Sequence, residues 1–229
     1  MDLSKKSFVD KIKYVLENLF VFPFYILTHP IKGYEDLKFA KKGKMWVAVL
    51  SVILLIITQI LVETQTGFLV VDSAKRDFRL LRTVLIIIFL VGIFVIGNWS
   101  VTSLFDGKGK VKEIFLVLGY SFIPFILIVI PLTVISNFIV SEEINFYRAI
   151  YGLAIGISAY MIFMGLIVIH EYGLLKNIVT LIATFLSVAL IIFIMVLLLT
   201  IVQQIYSFLK QIIEEIILRL RSWGLYEYF

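Results

Sequence analysis

Gly107-Lys108-Gly109-Lys110 and His170-Glu171 are the residues whose types and spacing come nearest to known chemistry in this sequence. A glycine-rich loop ending in lysine can cradle phosphate with its backbone N–H groups. That pattern needs glycine five positions before the Gly109-Lys110 pair and Ser or Thr after it, and Leu104 and Val111 stand there. The simpler reading is a tight turn between two apolar runs, with lysines at headgroup level. His-Glu on a helix opens a zinc-protease motif, but the second histidine would fall at Leu174. His29 is the only other histidine, and both read as polar residues ending apolar segments. The absence of cysteine removes thiolate ligands, thiol nucleophiles and disulfides together. No catalytic residue, metal site or cofactor is expected.

A second set of polar residues lies in or beside long apolar runs: Thr58, Gln59, Asn98, Ser100, Thr102, Ser121 and Ser158. All are neutral, whereas proton-coupled transporters and intramembrane hydrolases use ionisable groups at that depth. Neutral groups of this kind more often tie helices together. Gly152 and Gly156 form a GxxxG, with Ala154 and Ser158 as a second small pair, and are expected to let helices approach closely within the chain. Tyr120, next to Gly119, reads either as a ligand contact or as a tyrosine anchoring a span end at the interface.

The elements that must carry these residues are membrane spans. Mean hydropathy is +1.05 and 61% of the 229 residues are hydrophobic, more apolar surface than a water-soluble core can hide. Apolar runs at 45–62, 83–101, 114–140, 149–169 and 178–202 approach or exceed the roughly 20 residues a spanning helix needs, and none has an interior Asp, Glu, Lys or Arg. Helices are the form that satisfies the backbone of such runs in lipid. The fold class is therefore all-α, a polytopic membrane protein with five transmembrane helices and amphipathic interfacial helices at both ends. Pro124 and Pro131 make the third run kinked or part re-entrant.

Three segments follow from this: 1–44, an interfacial and cytoplasmic stretch; 45–202, the five spans; and 203–229, an amphipathic helix with an aromatic tail. In the first, Phe8, Ile12, Val15, Leu16, Leu19 and Phe20 recur at helical spacing, and the start of the chain has no h-region of a cleavable signal peptide. Leu19–Leu27, broken by Pro23, is too short to cross and reads as a surface or re-entrant segment. Gly33–Asp36 begins a polar linker that closes with Lys41, Lys42 and Lys44. In the last, Ile205, Phe208, Leu209, Ile212 and Ile216 form an apolar stripe, and Trp223, Tyr226 and Tyr228 read as headgroup anchors. Thirteen of the 21 Lys and Arg fall on the amino-terminal side of the membrane, which favours a cytoplasmic amino terminus and an external carboxyl terminus. The net charge of +5 and pI near 9.3 suit anionic lipid better than nucleic acid, because the lysines flank apolar runs.

Four stretches occur in a telling order: His29–Lys38 (HPIKGYEDLK), Phe105–Gly109 (FDGKG), Gly119–Pro124 (GYSFIP) and Gly165–Tyr172 (GLIVIHEY). Spaced against five spans, they resemble the Ypt-interacting-protein (Yip) domain family in its bacterial branch, over about 29–221. The resemblance implies a five-span helical domain with a cytosolic amino terminus, and it makes Asn98, Asp106, Gly107, Lys108, Gly119, Tyr120 and Pro124 the signature and candidate binding residues. Eukaryotic members bind prenylated Rab-type GTPases and shape membranes. The Asp-Leu-Tyr-Gly-Pro motif of those members is absent here, so Rab binding is not carried over. Bacterial relatives are implied to be non-enzymatic membrane proteins, some encoded beside sugar ABC transporters. Two functions are expected on these grounds. The first is a non-enzymatic cell-membrane protein that organises lipid, anionic lipid included, or scaffolds membrane proteins or itself through Gly152 and Gly156. The alternative is a small transporter, channel or accessory permease subunit for an uncharged solute or lipid.

Overall fold

The computed structural model describes residues 13–70 and 80–222. Phe8, Ile12 and the anchors Trp223, Tyr226 and Tyr228 lie outside the described residues. Among those described, every regular element is a helix, and five stretches are long and apolar enough to cross a membrane.

Residues 13–16 are helical and run into one π-helical turn, Glu17–Val21, and then α1, Phe22–Thr28. Pro23 accounts for the widened turn, since proline donates no hydrogen bond and crowds the carbonyl four residues back. His29 (φ −132°, ψ 68°) breaks the helix, and Pro30 opens α2, Pro30–Lys38. The linker expected from Gly33 is thus a helix. Proline is tolerated at its start because no N–H is needed there, and Tyr34 and Leu37, one turn apart, bury its inner face. A side chain at Gly33 would lie 2.7 Å from Ile26 Cα, so glycine is what lets α2 fold back on α1.

The spans are α3 (Met45–Gln65), α4 (Leu80–Leu104), a broken pair α5 (Val111–Ser121) and α6 (Ile123–Ile135), α7 (Ile144–His170) and α8 (Leu174–Ser222). The third run is interrupted at Phe122, just before Pro124, as its proline predicts. By compactness the chain divides into Met1–Phe185 and Leu186–Phe229. In the first unit α5 is the central element, packed on α3, α4 and α7, with Ile114, Val117 and Leu118 buried. The second unit is described as helix through Ser222 and carries exposed pairs, Lys210–Glu214 and Glu215–Arg219, one turn apart. The stripe expected to form a separate interfacial helix is therefore continuous with the fifth span. No Gly or Pro occurs between Leu174 and Ser222 to end it.

The small residues of α7 divide differently from expectation. Ala154 and Ser158 are buried, whereas Gly152 and Gly156 are exposed with nothing within 4 Å of an added Cβ. The in-chain contact expected of the GxxxG is thus made by the second small pair.

Candidate functional site

Three loops meet at one end of the first unit: the α2–α3 connection, the turn after α4 and the turn after α7. The last two carry the glycine-lysine and histidine-glutamate residues, and they lock together. Helix α7 ends with Glu171 in the left-handed region (φ 56°), a conformation usually given to glycine or asparagine. Its carboxylate is held by Lys38 Nζ at 2.8 Å and by Lys108 Nζ. Lys38 also donates to Ile169 O at 2.8 Å, covering a carbonyl that the helix end leaves open. The two ammonium groups, Lys108 first, depress the Glu171 carboxyl from its ordinary 4.5 to about 2.

His170 lies beneath this bridge, 1% exposed. Gly109 N–H donates to its Nδ1 at 3.3 Å, which puts the ring proton on Nε2, 3.1 Å from Asn98 Oδ1. Asn98 Nδ2 donates to Thr184 Oγ1 at 3.1 Å, and that hydroxyl donates to Thr180 O at 2.7 Å. The chain of donors ends on a carbonyl with no member left open. The Tyr172 ring stacks on His170, 5.3 Å between centroids, and its hydroxyl reaches Phe105 O at 3.0 Å and Thr102 O at 3.3 Å. Added Cβ atoms at Gly107 and Gly109 would lie 2.8 Å from His170 Nδ1. The glycines are there so that backbone can lie against these rings.

A second cluster fixes the amino-terminal helices to the third span. Tyr34, fully buried, shares a 2.6 Å hydrogen bond with Ser121 Oγ, and burial pushes its phenol up. Lys44 N–H donates to Tyr120 OH at 3.1 Å, and Phe22 meets the Tyr120 ring edge-on at 5.7 Å. An added Cβ at Gly119 would lie 2.6 Å from Ala48 Cα, which sets how closely α5 crosses α3. The three residues Gly119-Tyr120-Ser121 thus make three different contacts.

Two cavities flank this second cluster. An open apolar groove of about 460 Å³ lies between the π turn and α1 on one side and α3, α6 and Met161 on the other. Nearby, a cavity of about 600 Å³ has a mixed wall, with Glu17, Asn18, Asp36, Lys41, Lys42 and Lys44 among its polar residues and Val21 and Phe22 among its apolar ones. Both have Val21 in their walls. Among the described residues, no three His, Cys, Asp or Glu side chains are placed to hold a metal ion.

A family model of the Yip1 domain matches residues 24–202. The chain belongs to the Yip1-domain family. No match was found among curated proteins or among solved structures. The Yip1 match begins within α1, so it takes in the α1–α2 hairpin, both clusters and all five spans.

Within this Yip1 domain, the residues singled out from the sequence fall into separate places. Asn98, Gly107 and Lys108 belong to the His170 cluster, and Asp106 is exposed beside it with φ 55°. Gly119 and Tyr120 belong to the second cluster, and Tyr120 and Pro124 also line the groove. Tyr120 is 2% exposed, so it is not a span-end anchor at the interface. Lys110 and Lys112 remain exposed. Tyr34, Lys38, Tyr172 and Thr184 were not singled out by their chemistry, and His170 was weighed as a metal ligand and then read as a polar residue ending an apolar segment. The signal in the sequence was that all four ordered stretches contain residues of these clusters.

Proposed function

We propose that this Yip1-domain protein is a non-catalytic, multi-pass protein of the cytoplasmic membrane that organises lipid around its bundle. The observation carrying this reading is the amino-terminal segment. Helix α1 has seven residues, too few to cross about 30 Å of hydrocarbon. Together with the π turn before it, it nonetheless exposes apolar side chains, Phe20, Val21 and Phe24 at 59%, 63% and 63%, beside an open apolar groove. Such a segment enters one leaflet and displaces lipid there.

The orientation follows from charge. Lys38, Lys108 and Glu171 are in contact, which puts the amino-terminal lysines on the same face as the loops after α4 and α7. That lysine-bearing face is the cytoplasmic one by the positive-inside rule, and an odd number of spans then leaves the carboxyl terminus outside. The residues on which a solute path or a reaction would depend, Asn98, Ser121 and His170, all have hydrogen-bond partners within the bundle. That favours organisation of lipid, and of membrane proteins held in it, over transport or catalysis.

The test is extraction from native membrane into polymer nanodiscs, followed by lipid and protein analysis. Retained lipid enriched over the bulk composition is expected. Lipid of bulk composition with no accompanying membrane protein would overturn the reading.

A further inference from the structure

We infer that the groove and the adjoining lysine cavity form one binding site for an anionic glycerophospholipid, with an acyl chain in the groove and the phosphate among Lys41, Lys42 and Lys44. This rests on the lipid-organising reading and specifies where and by what chemistry lipid is held.

The groove is apolar along its length. Val47, Leu50, Ser51 and Leu54 follow one face of α3 away from Lys44, and the Ser51 hydroxyl is turned to Ala48 O at 2.8 Å, so it offers nothing to a polar ligand. Four positions on one helix face over residues 47–54 extend about 10 Å into the bilayer at 1.5 Å per residue. That is the shape and polarity of a hydrocarbon chain, and its volume is in the range of small-ligand pockets.

Charge decides the headgroup. The cavity next to the groove has two carboxylates, but Asp36 is paired with Lys42 at 2.6 Å and Glu17 lies 4.0 Å from Lys13. Lys41 and Lys44 have no acidic partner among the described residues. The loop that carries them is fixed. Lys41 is in the left-handed region (φ 51°), Gly43 is pressed against Leu37, and the Lys44 N–H is bound to Tyr120 OH. With the backbone that carries them already ordered, the two lysines need order only their side chains when an anion arrives. Lys44 is also the residue before α3, whose first turn has no side-chain cap, so the partial positive charge of that helix end adds to theirs. The lysines precede Met45, the first residue of a span, and so stand at the headgroup level of the leaflet into which the groove opens.

The experiment is native mass spectrometry of the full chain released from bilayers of phosphatidylglycerol and phosphatidylcholine with identical acyl chains. Wild type should retain one phosphatidylglycerol in preference to phosphatidylcholine. The double variant Lys41→Gln/Lys44→Gln should lose the preference by roughly tenfold. Leu127→Trp, which fills the groove from a position already 56% exposed, should lose the bound lipid of either kind. Lys112→Gln, exposed but outside both cavities, should behave as wild type. Undiminished preference in the double lysine variant overturns the site. So does a chain dimer abolished by Leu127→Trp with no lipid retained, which would give the groove to a second copy. If the native nanodiscs still enrich lipid while these variants bind normally, the site alone is wrong. If neither preparation retains lipid, the lipid-organising reading fails with it.

Discussion

In the His170 cluster, Lys38 and Lys108 close on Glu171, and each ring nitrogen of His170 has a partner. Three and six residues beyond Lys38, Lys41 and Lys44 stand on a loop tied to Leu37 and Tyr120, and neither has an ion-pair partner among the described residues. Both regions carry lysines and carboxylates on the same face of the bundle. They differ in whether their charges and lone pairs are already satisfied. A buried polar group that is fully hydrogen-bonded holds a fold together, whereas unpaired cations beside an apolar groove are available to a ligand. The cluster is therefore the place to look for stability, and the groove the place to look for function.

Substitutions should separate the two. The largest loss of stability is expected for Asn98→Leu, which leaves His170 Nε2 and the Thr184 hydroxyl buried without their shared partner. A ring N–H left unpaired, with a hydroxyl that keeps only its bond to Thr180 O, should cost about 2–3 kcal/mol, read as thermal unfolding in micelles. Gly109→Ala comes next, at about 1–3 kcal/mol, because its Cβ would lie 2.6 Å from His170 Cε1 inside a packed cluster. Gly152→Ala, by contrast, meets nothing within 4 Å and should be neutral or stabilise the helix by up to about 1 kcal/mol. If Gly152→Ala were the more damaging of the two, the division between clustered and open glycines would be wrong.

Glu171 gives the comparison a pH dependence. Its carboxyl is depressed in the folded protein, so the bridge contributes fully above its ordinary 4.5 and is lost as pH falls toward about 2. Unfolding midpoints of wild type and Glu171→Gln should differ above pH 4.5 and converge as pH approaches 2. A constant gap across that window would mean that the bridge has no share in stability. The smallest effect is expected for Lys41→Gln/Lys44→Gln, within about 0.5 kcal/mol in lipid-free micelles.

Much of the fold was legible because the bilayer leaves few choices. Five apolar runs became five spans, and Pro124 broke the third as its chemistry requires. What escaped was information held between distant residues. His170 and Asn98 are 72 positions apart, and nothing local to either indicates that they meet. Residues 33–44 looked like a linker because they are rich in polar groups, while the buried face of the helix Pro30–Lys38 is only Gly33, Tyr34 and Leu37. The Gly152–Gly156 spacing marks a helix face on which close approach is allowed, and not one on which it occurs. The ordered family stretches did better than any single motif, because all four contain residues of the two clusters.

The most direct measurement is the thermal shift that phosphatidylglycerol produces in detergent-purified wild type, Asn98→Leu and Lys41→Gln/Lys44→Gln. Lipid at about 100 times its dissociation constant should raise the unfolding midpoint by several degrees. That shift should appear in wild type and in the otherwise weakened Asn98→Leu, and should be absent from the double lysine variant. An equal shift in all three, or one lost in Asn98→Leu and kept in the lysine variant, would contradict the assignment of stability to the cluster and lipid binding to the groove.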